Sequence, residues 1–135
     1  MQQEQRQAEQ RQAEQRQIIT ALTPVDLQNL QLNARGKMVV VKFGATWCKP
    51  CKVIKPTCDA WITTAPPNII YADIDIDESM DLYVAFKSKK MVRGVPVLLA
   101  FDCSKQRDHW YIPDDSVEGG DIAAVQAFFQ RISNL

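Results

Sequence analysis

The chain lacks net charge, long apolar runs and all but one histidine. Sixteen basic side chains balance sixteen acidic ones over 135 residues. That balance removes the basic footprint of a nucleic-acid binder and the one-sided charge of a polybasic membrane anchor. No apolar stretch approaches the roughly 20 residues that span a bilayer. The N-terminus is rich in glutamine where a secretory signal would carry an apolar core. The expected location is therefore the cytosol, with neither nucleic acid nor membrane as partner. There are four cysteines. Structural zinc sites draw on two short-spaced ligand couples, and among Cys48, Cys51, Cys58, Cys103 and His109 only the first two form one, so no metal is expected. A reducing compartment makes cysteines thiols or redox groups more often than staples, and a chain with 46% apolar side chains can build a core unaided.

What is present divides into a tail and one domain. Residues 2–16 are three five-residue units, QQEQR, QAEQR and QAEQR, without a large apolar side chain. A polar tract with nothing to bury is expected to be disordered or a fraying helix, and a five-residue period suits no coiled coil. The tail is placed at 1–17 and the domain at 18–135. Within the domain, Thr23-Pro24 with Asp26 reads as a helix start. Met38–Phe43 reads as a strand buried on both faces, with Lys42 as its exception. A helix from about Cys48 to Thr64 is expected to kink at Pro56. Ile69–Asp75 is a second buried strand, Glu78–Phe86 an amphipathic helix, and Val95–Phe101 a third strand. Trp110–Ile112 is expected to pair with it as an antiparallel neighbour, and Asp121 caps a final helix. This order implies an α/β fold, a central mixed sheet flanked by helices on both faces.

The chemistry concentrates in Trp47-Cys48-Lys49-Pro50-Cys51-Lys52, where a buried strand gives way to a helix. Two thiols three residues apart can close a disulfide across one turn. The first of them meets unpaired amides and the positive end of the helix dipole, so Cys48 is the better nucleophile, with Lys49 and Lys52 adding positive charge. Cys51, one turn in, suits the resolving role, and Pro50 stiffens the loop between the sulfurs. A CxxC pair alone could also be half a zinc site. Cys58 reads as a small buried hydrophobe and Cys103 as an unpaired thiol in a turn. His109 reads as a surface residue, and Asp73, Asp75, Asp77 and Glu78 as a solvated strand end.

With Phe43 and Ala45 before the motif and Val95-Pro96 far downstream, the segment from Ile18 to Leu135 resembles the thioredoxin family. The resemblance implies the thioredoxin fold, a cis Pro96 beside the cysteines, and a Val95 backbone that pairs with an extended substrate. Trp47 would be a wall of that site. It further implies reduction of disulfides in partner proteins by Cys48, resolution by Cys51, and regeneration of the dithiol by an external, thioredoxin-reductase-like electron donor. No bound cofactor and a monomeric state are expected. The alternative is a thioredoxin-like protein-binding module whose cysteines are secondary. Four positions depart from the family pattern. Lys42 stands where most members carry a buried acid, and Asp73 falls where a lysine is common, which suggests a charge-swapped pair beneath the site; the competing reading has Lys42 reaching water at the sheet's end. Gly44 replaces a bulky residue, and Lys49 replaces glycine between the cysteines.

Overall fold

The computed structural model describes residues 2–7 and 16–134. Residues 2–7 are helical and exposed, while residues 1 and 8–15 of the expected disordered or fraying tail lie outside the described residues. The end of that tail is tied to the domain: the Arg16 guanidinium donates to the carbonyls of Ile62, Ala65 and Pro66 at 3.1, 3.0 and 2.7 Å. Ile19 then pairs with Ala72 in a single parallel bridge.

Four strands and four helices follow. They are α1 (Pro24–Asn33), β1 (Met38–Gly44), α2 (Lys49–Thr64), β2 (Ile69–Asp75), α3 (Met80–Ser88), β3 (Val97–Asp102), β4 (Asp115–Glu118) and α4 (Ile122–Ser133). The strand order is β2-β1-β3-β4. β1 runs parallel to β2 and antiparallel to β3, which is antiparallel to β4. Local chemistry explains the starts. Thr23 and Asp26 form a reciprocal capping box on α1, with Pro24 in its first turn. Asp121 accepts the amides of Ala123 and Ala124 at the head of α4. Helix α2 continues through Pro56; the proline supplies no N–H, so the Lys52 carbonyl forgoes its helical donor.

The sheet separates two apolar layers because successive side chains of a strand point to opposite faces. Val39, Val41 and Phe43 of β1 join Leu27, Leu82, Phe86 and Phe101 on one side. Met38 and Val40 join Ile54, Cys58, Tyr71, Phe128 and Phe129 on the other. There α2 and α4 meet through Trp61 and Phe129, stacked with centroids 4.1 Å apart.

One expected element is corrected. Residues 110–111 form a turn, and the fourth strand is Asp115–Glu118. Trp110 and Tyr111 are aromatic because they plug the core: the Trp110 ring meets Phe86 at 5.4 Å, and its carbonyl accepts from Gln31 at 2.9 Å. Arg107 ties the loop to Ile112 and Asp114. The ladder resumes only after Asp114 N–H has reached the Ala100 carbonyl. Asp115–Glu118 alternates half-buried and exposed residues at a sheet edge, where polar side chains are tolerated and β-propensity is weak. The third strand begins at Val97, two residues later than expected; Pro96 has no N–H to give a ladder, and its carbonyl accepts from Gly119 at 2.9 Å.

Phe86 is fully buried and meets Phe43, Phe101 and Trp110 at 5.7, 6.1 and 5.4 Å. Phe86→Ala is expected to lower unfolding stability by about 3–5 kcal/mol. Urea denaturation checks this as a lower midpoint at unchanged slope.

Candidate functional site

The C-terminal end of β1 and the N-terminal end of α2 hold the site between them. Gly44 closes the strand, Ala45 accepts the Cys48 amide at 3.2 Å, and Cys48 is the N-cap of α2. Its sulfur takes the place of the usual capping oxygen, accepting the Cys51 N–H at 3.2 Å. Cys48 and Cys51 are joined in a disulfide, with Cα atoms 5.3 Å apart, inside the range such a bond requires. Both cysteines are buried. The helix end thus directs the Cys51 amide and the positive end of its dipole at Cys48.

Three further segments converge on the pair. The Val95–Pro96 peptide bond is cis, and the Val95 carbonyl lies 3.7 Å from Cys48 Sγ. Trp47 is 65% exposed, and its indole N–H donates to Asp77 at 2.9 Å. Asp77 is itself held by the hydrogen bond its backbone N–H donates to the Asp75 carboxylate at 2.8 Å. The loop after β4 meets the site at Gly120, where an added Cβ would stand 2.9 Å from Pro50 Cβ; only glycine permits that approach. Lys49 and Lys52 are exposed in the first turns of α2, which hold no acidic residue to offset them. A cation at this end opposes the helix dipole by on the order of 0.3–1 kcal/mol.

Beneath α2 lies a buried polar group. Lys42 pairs with Asp73 across the parallel register, Nζ to Oδ1 3.6 Å; the lysine side chain is 6% exposed and the aspartate 39%. The lysine does not reach water at the sheet's end; it forms an ion pair with Asp73. Alternation along β1 puts Lys42 on the same face as Met38 and Val40, under the helix that carries the cysteines. Gly44, next on that face, is where a Cβ would lie 3.7 Å from Cys51 Sγ. Cys58 and Tyr71 share this layer. Burial pushes the Cys58 thiol up, opposed by the Lys42 charge. Burial likewise pushes the Tyr71 phenol far up, reinforced by Cys58 and Asp73. The Tyr71 hydroxyl has no hydrogen-bond partner of good geometry.

The remaining candidates stand apart. Cys103 is half-buried in a turn, its thiol directed at the Phe101 carbonyl at 3.6 Å and pushed up by burial, with Arg107 opposing. His109 is exposed and rests on Tyr111. Among the described residues no group of three or more His, Cys, Asp or Glu side chains is placed to hold a metal, and no helix is long and apolar enough to cross a membrane. Sequence reasoning overlooked two site residues. Asp77, taken as solvated, tethers the Trp47 ring from 30 positions away. Gly120 is a contact that only folding creates, signalled by no more than a glycine pair before the Asp121 cap.

The thioredoxin family model matches residues 20–118. The chain is 34% identical over 91 residues to Thioredoxin H4-2 of Oryza sativa subsp. japonica, which covers 67% of this chain and 65% of that protein. It is 42% identical over 50 residues to a thioredoxin of Ophiophagus hannah, covering 37% of this chain and 47% of that protein. The matched region therefore spans less than two thirds of these curated relatives. Among solved structures, the thioredoxin of Malassezia sympodialis superposes with a TM-score of 0.62 at 27% identity over 87% of this chain and 93% of that one. Fasciola hepatica thioredoxin gives 0.64 at 24% identity over 84% and 98%, a likeness of fold alone.

The buried thiols and phenol make stability fall in alkali. With the Cys48–Cys51 disulfide intact, the unfolded chain sheds thiol protons near about pH 8.5 and phenol protons near about pH 10, while the folded chain holds those of Cys58, Cys103 and Tyr71 to higher pH. The folded state binds more protons, so its melting temperature is expected to drop as pH rises above about 8.5. Thermal scans of Cys58→Ala should show a shallower drop between about pH 8.5 and 10 than the parent.

Proposed function

The chain belongs to the thioredoxin family, and on that premise we propose that it is a thiol-disulfide oxidoreductase that reduces disulfides in partner proteins. The observation that carries this reading is the Cys48–Cys51 disulfide at the head of α2, with the Cys48 sulfur as helix cap and the Val95 carbonyl 3.7 Å away. In the reduced protein the amide and the helix end that now face Cys48 favour its thiolate. That thiolate attacks one sulfur of a partner disulfide. A mixed disulfide forms, and the partner's other sulfur leaves as a thiolate that takes up a proton. Cys51, losing its own proton, then attacks Cys48 Sγ. The Cys48–Cys51 disulfide closes, the mixed disulfide breaks, and the partner's second sulfur departs as a thiol. The partner gains two electrons and two protons, and a thioredoxin-reductase-like donor returns the same to the protein.

Several features support particular roles. Trp47, exposed and tethered by Asp77, suits a wall against which the partner rests. Val95, half-buried beside cis Pro96, suits a backbone that receives an extended partner segment. Pro50, in the first turn, stiffens the span between the sulfurs. Lys42 and Asp73 suit a relay under the site: the buried ammonium favours a thiolate at Cys51, and the partly exposed carboxylate carries its proton toward water. Unpaired Cys58 and Cys103 fit a reducing compartment such as the cytosol.

Dithiothreitol-driven reduction of insulin tests the activity. The parent should precipitate insulin well ahead of dithiothreitol alone, Cys48→Ser should match the reagent blank, and Cys51→Ser should accumulate covalent mixed disulfides with partners. A Cys48→Ser protein as fast as the parent would remove the oxidoreductase reading. For the relay, Asp73→Asn is expected to slow reduction several-fold and shift its pH profile. Activity identical to the parent's across roughly pH 6 to 9 would sink that role.

A further inference from the structure

Among the buried side chains of the layer under α2, Lys42, Cys58 and Tyr71 alone carry an ammonium, a thiol or a hydroxyl. The parallel register sets Val40 opposite Tyr71 and Lys42 opposite Asp73, so the side chains of Tyr71 and Asp73 lie on the same face as that of Lys42. Backbone bonds fix both positions on β2: the Ile19 N–H donates to the Tyr71 carbonyl at 3.0 Å, and the Asp73 N–H donates to the Ile19 carbonyl at 2.8 Å. On the helix above, Cys58 stands about two turns beyond Cys51 on one face. Its thiol meets the Tyr71 hydroxyl, and after burial the Lys42 charge is the strongest influence on it. The remaining charges near this layer are the exposed Lys55–Asp59 pair of α2, 2.6 Å apart. Strand β3 and helix α4 contribute apolar side chains such as Leu98 and Phe128.

Asp73 does not satisfy the buried ammonium by itself. The 3.6 Å between Nζ and Oδ1 exceeds the roughly 2.7–2.9 Å of a charge-assisted hydrogen bond, and a lysine head has further N–H donors to place. The Tyr71 hydroxyl in turn has no hydrogen-bond partner of good geometry. Its oxygen and the Cys58 sulfur can both accept, and burial keeps both groups protonated, so they offer lone pairs without charge. Resting on the oxidoreductase reading, we propose that Tyr71 and Cys58 are positioning residues of the resolving step, whose hydroxyl and thiol accept from the Lys42 ammonium and hold it beneath Cys51. Without them, an ammonium on a long flexible stem moves toward Asp73 and the water that reaches it. Its charge then leaves Cys51, the thiolate there is less favoured, and release of the partner slows. Attack by Cys48 depends on the Cys51 amide and the helix end, so it keeps its rate.

The test mixes the full-length dithiol protein with one equivalent of an aromatic disulfide whose halves absorb light when released. Attack by Cys48 breaks that disulfide and frees the first half as a thiolate. Attack by Cys51, which loses its proton, on Cys48 Sγ closes the protein disulfide and frees the second. Stopped-flow absorbance separates the two steps, because only the first depends on protein concentration. Tyr71→Phe should leave the first step at the parent's rate and slow the second about fivefold at about pH 7. The deficit should vanish above about pH 9, where thiols ionise unaided. Cys58→Val should behave like Tyr71→Phe, and Cys58→Ser, which keeps an acceptor, like the parent. A second step unchanged in Tyr71→Phe and Cys58→Val, both steps slowed alike, or a deficit that persists at high pH would each overturn the assignment. A parent that frees the first half no faster than its Cys48→Ser variant would instead bring down the oxidoreductase reading, and this proposal with it.

Discussion

Strand β1 is the constraint on which the rest depends. It is hydrogen-bonded along both edges, to β2 and β3, and buried on both faces, with Val39, Val40, Val41 and Phe43 wholly excluded from water. A central strand in that position must satisfy every backbone group through its neighbours, so its register is set on both sides at once. The end of the strand is correspondingly rigid. Gly44 ends it, Ala45 follows and accepts the Cys48 amide, and the sulfur that caps α2 is thus placed by a strand paired on both edges. A disulfide placed there has its geometry set by the sheet.

That strand also determines where the unusual charge sits. An ammonium under a helix would be costly alone, and Asp73 answers it because the parallel register sets residue 42 opposite residue 73. The aspartate is more exposed than the lysine, which leaves the pair open to water at one end. The same layer leaves the Tyr71 hydroxyl without a partner beside the Cys58 thiol. Polar atoms therefore cluster beneath the helix that carries the two cysteines while the opposite layer is almost wholly aromatic and aliphatic.

Elements whose pattern is strong in the sequence were legible there. Runs such as Val39-Val-Val and Ile69-Ile-Tyr, and caps such as Thr23 and Asp121, are local signals with local causes. The pairing of Lys42 with Asp73 was also reachable, through alignment to a family pattern. The Asp115–Glu118 strand was not. Its residues have weak β-propensity, and it forms because β3 offers an open edge and the Arg107–Asp114 tie brings the chain back to it. The aromatic Trp110-Tyr111 pair looked like a strand because aromatic residues favour both strands and core plugs, and the sequence does not say which.

The sequence by itself determined the mixed α/β order, the cysteine pair at a strand-to-helix junction and the caps of α1 and α4, because each depends on residues within a few positions of one another. Only the tertiary structure decided that Asp77 would hold Trp47, that Gly120 would press on Pro50, and that Arg16 would close the far end of α2. These are meetings between segments tens of residues apart. They arise from the way the helices and loops close over one buried sheet, and no local propensity encodes them.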